Sequence, residues 1–247
     1  MANRYSFGDS GRKRGFNPFY IIIEVIIIAI GIYIAFQVEA WGDRRKEEAL
    51  EIKYLIEMLE EANLNWRELE LDQDFRRRQE EYLIKLMDSR NRQVDIDTIR
   101  TAMEMLTTFR FYSPTNSVYE DLISSGNLSI IESDTIRHMI LVDKQNSTRA
   151  PLSEASEREY VENQLVAYFI KRKVYSLLSM EEDLEEIQST QRQRDQITAA
   201  LFQDQEFYDH VYARLTRLQQ VLYFSNPIQW NLRALRTKLE EEIANKE

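Results

Sequence analysis

The chain has 247 residues, with 42 Asp and Glu against 32 Lys and Arg, a net charge of −10, no cysteine and two histidines. That balance excludes the basic stripe with which a nucleic-acid surface neutralises phosphates, so no nucleic acid is expected as a partner. The missing thiols exclude disulfides and thiolate metal sites, and the length suits one membrane span with one extramembrane domain.

Residues 1–17 form a short basic tail, with Arg4, Arg12, Lys13 and Arg14 against Asp9. A short basic tail favours staying in the cytoplasm, which places the C-terminal domain across the membrane. Residues 18–41 read as a transmembrane helix. Phe19 to Val38 is twenty residues with one carboxylate, and at about 1.5 Å per residue it matches the roughly 30 Å of a hydrocarbon core. Asn17 and Pro18 suit an N-cap and first helical position, and Trp41, Arg44 and Arg45 suit an interfacial anchor. The run is longer than a signal-peptide core and no small-x-small site follows, so an uncleaved anchor is expected.

Glu24 is the carboxylate in that span, and a charge there is costly and usually purposeful. At about 100° per residue Glu24, Ile28, Gly31, Ala35 and Gly42 share one face. Gly31 and Ala35 make a small-xxx-small pair, which lets a neighbouring backbone approach, and a neighbour can offer Glu24 a hydrogen bond that lipid cannot. The pattern therefore predicts a helix-association face. Two other readings stand beside it: a carboxylate that snorkels to the headgroups or stays protonated, and one that couples to protons or ions.

Only Gly126 lies in the soluble part, with three prolines, so β-turn chemistry is scarce and an all-α fold is predicted. Residues 42–92 read as a stalk helix continuing the span, with Leu50, Tyr54, Leu55, Met58, Leu59, Ala62, Trp66 and Leu69 on one side. The repeat is not sustained as strict heptads, which favours packing on its own domain over a free coiled coil. DSRNRQ supplies a break. Residues 93–247 read as an irregular helical bundle. In it Ile99 to Leu106 form a short helix, Tyr119 to Ser124 end at Gly126, and Ser133 caps a helix from Thr135 to about Lys144. QNSTRAP is then expected to break the chain before a helix from Leu152 to about Val174. Ser179 with Glu182 has the form of a capping box. The bundle is predicted to end in an αα-hairpin, Phe207 to Leu222 and Ile228 to Ile243, turning at Ser225-Asn226-Pro227.

Chemistry-bearing patterns are few. His138 and His210 sit in helical stretches and suit packed or surface positions. Glycine scarcity removes phosphate-cradling loops. Glu181, Glu182, Asp183, Glu185 and Glu186 suit a solvated helix start. No catalytic residue, cofactor or metal ligand is proposed from sequence.

Glu24, Gly31, Ala35, Gln37 and Trp41, in EVIIIAIGIYIAFQVEAW, together with YEDLISSGNL at Tyr119 to Leu128, resemble a bacterial family of single-pass membrane proteins with a domain of unknown function. The chain departs from that pattern at Ile23, where the family has glycine, and at Glu39-Ala40, where asparagines are common. The resemblance implies a recognised bacterial single-pass architecture and carries over no activity; with the basic tail, the expected location is the inner membrane with a cytoplasmic N-terminus and a periplasmic domain. It draws attention to Ser124, Ser125, Gly126 and Asn127, a turn that could contact a partner or an anion, against the simpler reading of a helix C-cap. The sequence is best read as a membrane-anchored, non-enzymatic interaction or scaffold protein, joining copies of itself or other membrane-protein subunits. The alternatives are an ion-coupled accessory subunit using Glu24 with a polytopic partner, and a sensory helical domain that binds a ligand.

Overall fold

The computed structural model describes residues 18–91, 94–173 and 199–246, and among these every regular element is helical. Helix α1 runs Pro18–Asp88, α2 Ile96–Thr107 and α3 Ser117–Ser124. A 3-10 turn at Asn127–Ile130 leads to α4, Asp134–Tyr160. A single π turn, Val161–Leu165, joins α4 to α5, Val166–Lys171. Helix α6 runs Gln205–Lys246. The fold is all-α.

The chain divides into two units, Met1–Leu50 and Glu51–Glu247. In the first, α1 begins at Pro18, the position expected for the first helical residue, while Asn17 and the basic tail lie outside the described residues. Its apolar stretch is long and apolar enough to cross a membrane, and none of that stretch is buried. Ile22, Ile26, Ile30, Ile34 and Val38 are exposed alike with the residues between them, so the helix has no apolar side turned to a core.

The second unit contains the rest of α1. Tyr54, Leu55, Met58, Ala62, Leu69, Leu83 and Leu86 are buried, so this segment packs on its own domain as its one-sided pattern predicts. The division between units falls at Leu50 and Glu51, so residues 51–88 of α1 belong to the second unit.

Cross-links between helices fix the topology. Arg236 donates to Asn63, Gln73 to Ser225 and Gln219 to Glu80, so α6 runs antiparallel to α1. Asn231 donates to the Met139 carbonyl, and Tyr160 meets His210, so α6 also runs antiparallel to α4. Between α1 and α4 the chain descends along α1 through α2, an extended stretch and α3. The bundle is thus up, down, up, down, with its second leg only partly helical. A core at one end gathers Leu83, Leu86, Leu106, Phe169, Phe207 and Val211.

Local cap signals are realised where predicted. Ser133 accepts from the Ile136 amide, α3 stops before Gly126, whose φ of 75° suits glycine, and α1 ends at Asp88. Two predicted breaks do not occur. The expected hairpin at Ser225-Asn226-Pro227 is a single helix, α6, with Pro227 inside it. Proline removes one backbone hydrogen bond, but Val221, Ser225, Ile228 and Leu232 remain buried across it, and this continuous packed face holds the helix together. Ser225 is a buried partner, accepting from Gln73 at 3.0 Å and donating to the Leu222 carbonyl at 2.8 Å. The QNSTRAP stretch is likewise helical within α4, with Pro151 exposed and Ser147 and Glu154 buried on either side. The Ser179/Glu182 capping box and the cluster at residues 181–186 lie outside the described residues.

Candidate functional site

One face of α1 in the second unit is polar yet buried. Glu51, Tyr54, Glu61, Asn65, Asp72, Arg76 and Gln79 are all buried, and at about 100° per residue they fall within an arc of about 80°. All but Asp72, which pairs with Arg76, bond the descending leg at residues 105–132, and four of them serve its lower part. Glu51 accepts from the Glu132 amide at 2.7 Å. Tyr54 donates to Asp121 at 2.7 Å and accepts from Asn127 at 2.9 Å. Glu61 accepts from the Ser117 hydroxyl at 2.8 Å and the Val118 amide at 2.9 Å. Asn65 both donates to and accepts from the Thr115 backbone, each at 2.8 Å. The N-cap of α3, Asn116, makes no side-chain cap bond, and Glu61 supplies that acceptor from another helix.

The upper end of the ladder is an ion network. Arg76 donates from Nε to Asp72 at 2.8 Å, and from Nη1 to Glu157 at 2.6 Å. Its Nη2 reaches Glu154 at 3.2 Å and the Arg110 carbonyl at 2.5 Å. Arg214 of α6 pairs with the other oxygen of Glu157 and donates to the Leu106 and Thr108 carbonyls at 3.2 and 2.9 Å. Gln79 donates to the Met105 and Thr108 carbonyls. These are the carbonyls that the last turn of α2 leaves without helical partners, and guanidinium groups suit that negative helix end.

Two arginines face three carboxylates here, all five side chains at most 4% exposed. The surplus negative charge is costly in a low-dielectric core. Burial accordingly raises the Glu154 carboxyl to about 7, against the opposing pull of the Tyr112 amide and Arg76. Burial raises Asp72 too, in spite of Arg76. For Arg76, burial is outweighed by Glu157 and Asp72 and its pKa rises, whereas burial dominates at Arg214 and lowers it. Both remain cations, since guanidinium does not lose its proton in proteins. Asp72 Oδ1 has no hydrogen-bond partner among the described groups. It borders a cavity of ≈ 10 Å³ shared with Tyr112, Glu154, Ser225 and Ile228, a space the size of one water. The network can hold a proton and fix the path of residues 105–112.

The other sequence-singled residues are placed as follows. Glu24, Ile28, Gly31 and Ala35 are exposed on one face of α1 and Gly42 is half-exposed. A side chain added at Gly31 or Gly42 would meet no atom within 4 Å. Trp41 is exposed and covered on one side by Arg45, 4.4 Å from its ring centre, while Arg44 donates to the Ala40 carbonyl at 3.3 Å. In the Ser-Ser-Gly-Asn turn, the hydroxyls of Ser124 and Ser125 both donate back to the Asp121 carbonyl, Gly126 bonds the Ile123 carbonyl, and Asn127 reaches Tyr54. Three of these donors close the turn on α3 itself, and Asn127 ties it to α1. His138 is exposed. His210 is half-buried, its Nδ1 2.8 Å from the Tyr160 hydroxyl and its ring 4.6 Å from that of Tyr168, and burial lowers its pKa.

Arg76, Glu154, Glu157 and Arg214 were not singled out by sequence reasoning, because charged residues crowd every helix of this chain. A signal existed at Arg214, which sits in phase with Val211, Leu218 and Val221 on an otherwise apolar stripe. No protein-family model matches the chain, and comparisons with curated proteins and with solved structures give no significant match.

Proposed function

We propose that the protein is a membrane-anchored, non-enzymatic interaction or scaffold protein, held in the bilayer by the first part of α1 and associating with copies of itself. The observation that carries this reading is the apolar stretch of α1, whose isoleucines, phenylalanine and valines are exposed on every side of the helix. Water would oppose that arrangement at about 25 cal/mol per Å² of apolar surface, and a bilayer removes the penalty. Trp41 with Arg45 over its ring suits the headgroup level. The face that carries Glu24, Gly31 and Ala35 is free of contacts from the described chain, as a helix-association face requires. The basic tail supports a cytoplasmic N-terminus and hence a periplasmic bundle, and the family resemblance supports a bacterial inner membrane.

Membrane fractionation tests the anchor: the protein should resist alkaline carbonate and be released only by detergent, and extraction by carbonate alone would refute anchoring. Protease added to intact spheroplasts should digest the bundle if it is periplasmic. Self-association through the span predicts that Gly31→Leu weakens the dimer in detergent. A wild type that is monomeric at every concentration would remove the scaffold reading.

A further inference from the structure

Over one stretch, helix α4 is held to the bundle by carboxylates instead of apolar side chains. Of its described side chains between Ser147 and Val161, only Glu154 and Glu157 are buried, and the others are exposed or half-buried. Irregularities of the helix bracket the stretch. Pro151 has no N–H to give the Ser147 carbonyl, and the buried Ser147 hydroxyl has no partner among the described groups. At the other end lies the π turn Val161–Leu165.

The two carboxylates are held unequally. Glu157 is shared by Arg76 of α1 and Arg214 of α6, and beyond it Tyr160 bonds His210 while Val161 and Leu165 are buried. Glu154, nearer the proline, takes its bonds on one oxygen, Oε1, from the Tyr112 amide at 3.1 Å and Arg76 at 3.2 Å. We propose that residues 151–156 are a proton-operated latch. With Glu154 neutral the stretch lies against α1 and residues 110–112, and when Glu154 ionises the stretch lifts away, pivoting on Glu157.

The groups around Glu154 decide the direction. Asp72 and Arg76 face it from α1, Tyr112 and the Arg110–Glu68 pair from the descending leg and its neighbour, Glu157 and Arg158 from its own helix, and Arg214 from α6 through Glu157. A neutral Glu154 leaves two buried guanidiniums opposite two buried carboxylates, and ionisation adds a charge without a counterpart. Asp72 and Glu154 border the same water-sized cavity, so through one water the neutral acid can donate to the unpartnered Asp72 Oδ1. The ionised form has no proton to give, and it needs more water than that space holds. Lifting supplies the water, while Arg76 and Arg214 stay bonded to the carbonyls of Leu106, Thr108 and Arg110. Burial sets the Glu154 carboxyl at about 7 in the closed latch, against an ordinary 4.5. The closed form therefore binds the proton more tightly, is favoured at low pH, and loses that advantage as the pH rises through about 7. From pH 5 to pH 8 the equilibrium moves toward release roughly seventyfold, so a released fraction of about 1% becomes about 40%.

Because the chain has no cysteine, spin labels can be placed in pairs on the full chain in detergent micelles. Leu64→Cys with Leu152→Cys, both exposed sites, spans α1 to the latch, and Leu64→Cys with Ile170→Cys spans α1 to α5 as the fixed reference. Double electron–electron resonance on samples frozen at pH 5 and pH 8 reads both distances. The first pair should show one distance at pH 5 and a second, longer one at pH 8, with the reference pair unchanged. Adding Glu154→Gln, which cannot ionise, should remove the second population at pH 8. A first-pair distance that is the same at both pH values, or a second population that survives Glu154→Gln, overturns the latch. Equal lengthening of both pairs overturns the pivot at Glu157, since α4 and α5 would then be leaving together.

Discussion

Raising the pH should loosen the bundle, and Glu154 is the residue through which most of that effect passes. Its carboxyl lies at about 7 in the fold against an ordinary 4.5, raised first by burial and then held down in part by the Tyr112 amide and Arg76. The folded state therefore binds this proton more tightly than the unfolded chain does. Stability from that proton is complete below about pH 4.5 and is lost as the pH rises through about 7. At about 1.4 kcal/mol per unit, moving from pH 5 to pH 8 should remove about 2–3 kcal/mol. Asp143, raised to about 6 mainly by burial, adds a smaller loss of the same sign. Urea unfolding of the full chain in micelles, followed by far-UV circular dichroism at both pH values, measures the change. In Glu154→Gln the amide keeps an acceptor for Arg76 and the Tyr112 amide but cannot ionise, which brings the network to charge balance. Most of the pH dependence should disappear, leaving the part that belongs to Asp143 and Asp72. An undiminished dependence in Glu154→Gln, or a wild type that gains stability between pH 5 and pH 8, would refute the account.

Arg76→Met should be the most damaging single change, about 3–5 kcal/mol by the same titration, because it leaves Asp72, Glu154 and Glu157 buried with Arg214 as their sole guanidinium. Glu61→Ala should cost about 1–2 kcal/mol, since α3 loses its acceptor for the Ser117 hydroxyl and Val118 amide; Glu61→Gln should retain most of that stability. Gly126→Ala should cost about 1–2 kcal/mol through backbone strain alone, as the residue has a φ of 75° and open space around an added methyl. A larger loss would show that the turn is packed.

What could be read from the sequence was local. The membrane-length run, the one-sided pattern of α1, the stop at Gly126 and the Ser133 cap depend on residues within a turn or two of one another, and each is present. Pro227 and Pro151 misled for the same reason. Their turn chemistry is local, whereas the forces that carry α6 and α4 through them come from buried side chains such as Ile228 and Glu154 that meet other helices. The ion network was illegible because its pairs are far apart in the chain: Arg76 is 78 residues from Glu154 and 81 from Glu157, and Arg214 is 57 from Glu157. With acidic and basic residues on every helix, no pairing rule selects these over a solvated face.

The buried polar face of α1 has a reason in the backbone that it faces. Apart from the turn at Gly126, the descending leg between α2 and α4 closes little of its backbone on itself, and much of the rest would lack partners. Side chains of α1 supply those partners over residues 105–132, at a desolvation cost that each hydrogen bond roughly offsets. Net stability from such groups is small, and their stronger effect is on register. Sliding the leg by one helical turn would separate Asn65 from Thr115, Glu61 from Val118, Tyr54 from Asp121 and Glu51 from Glu132 at once. Each would then be a polar group buried without its partner. Six positions on one helix face thus fix the path of a leg that has too little helix of its own to fix itself, and Arg76 and Arg214 extend that constraint to α4 and α6.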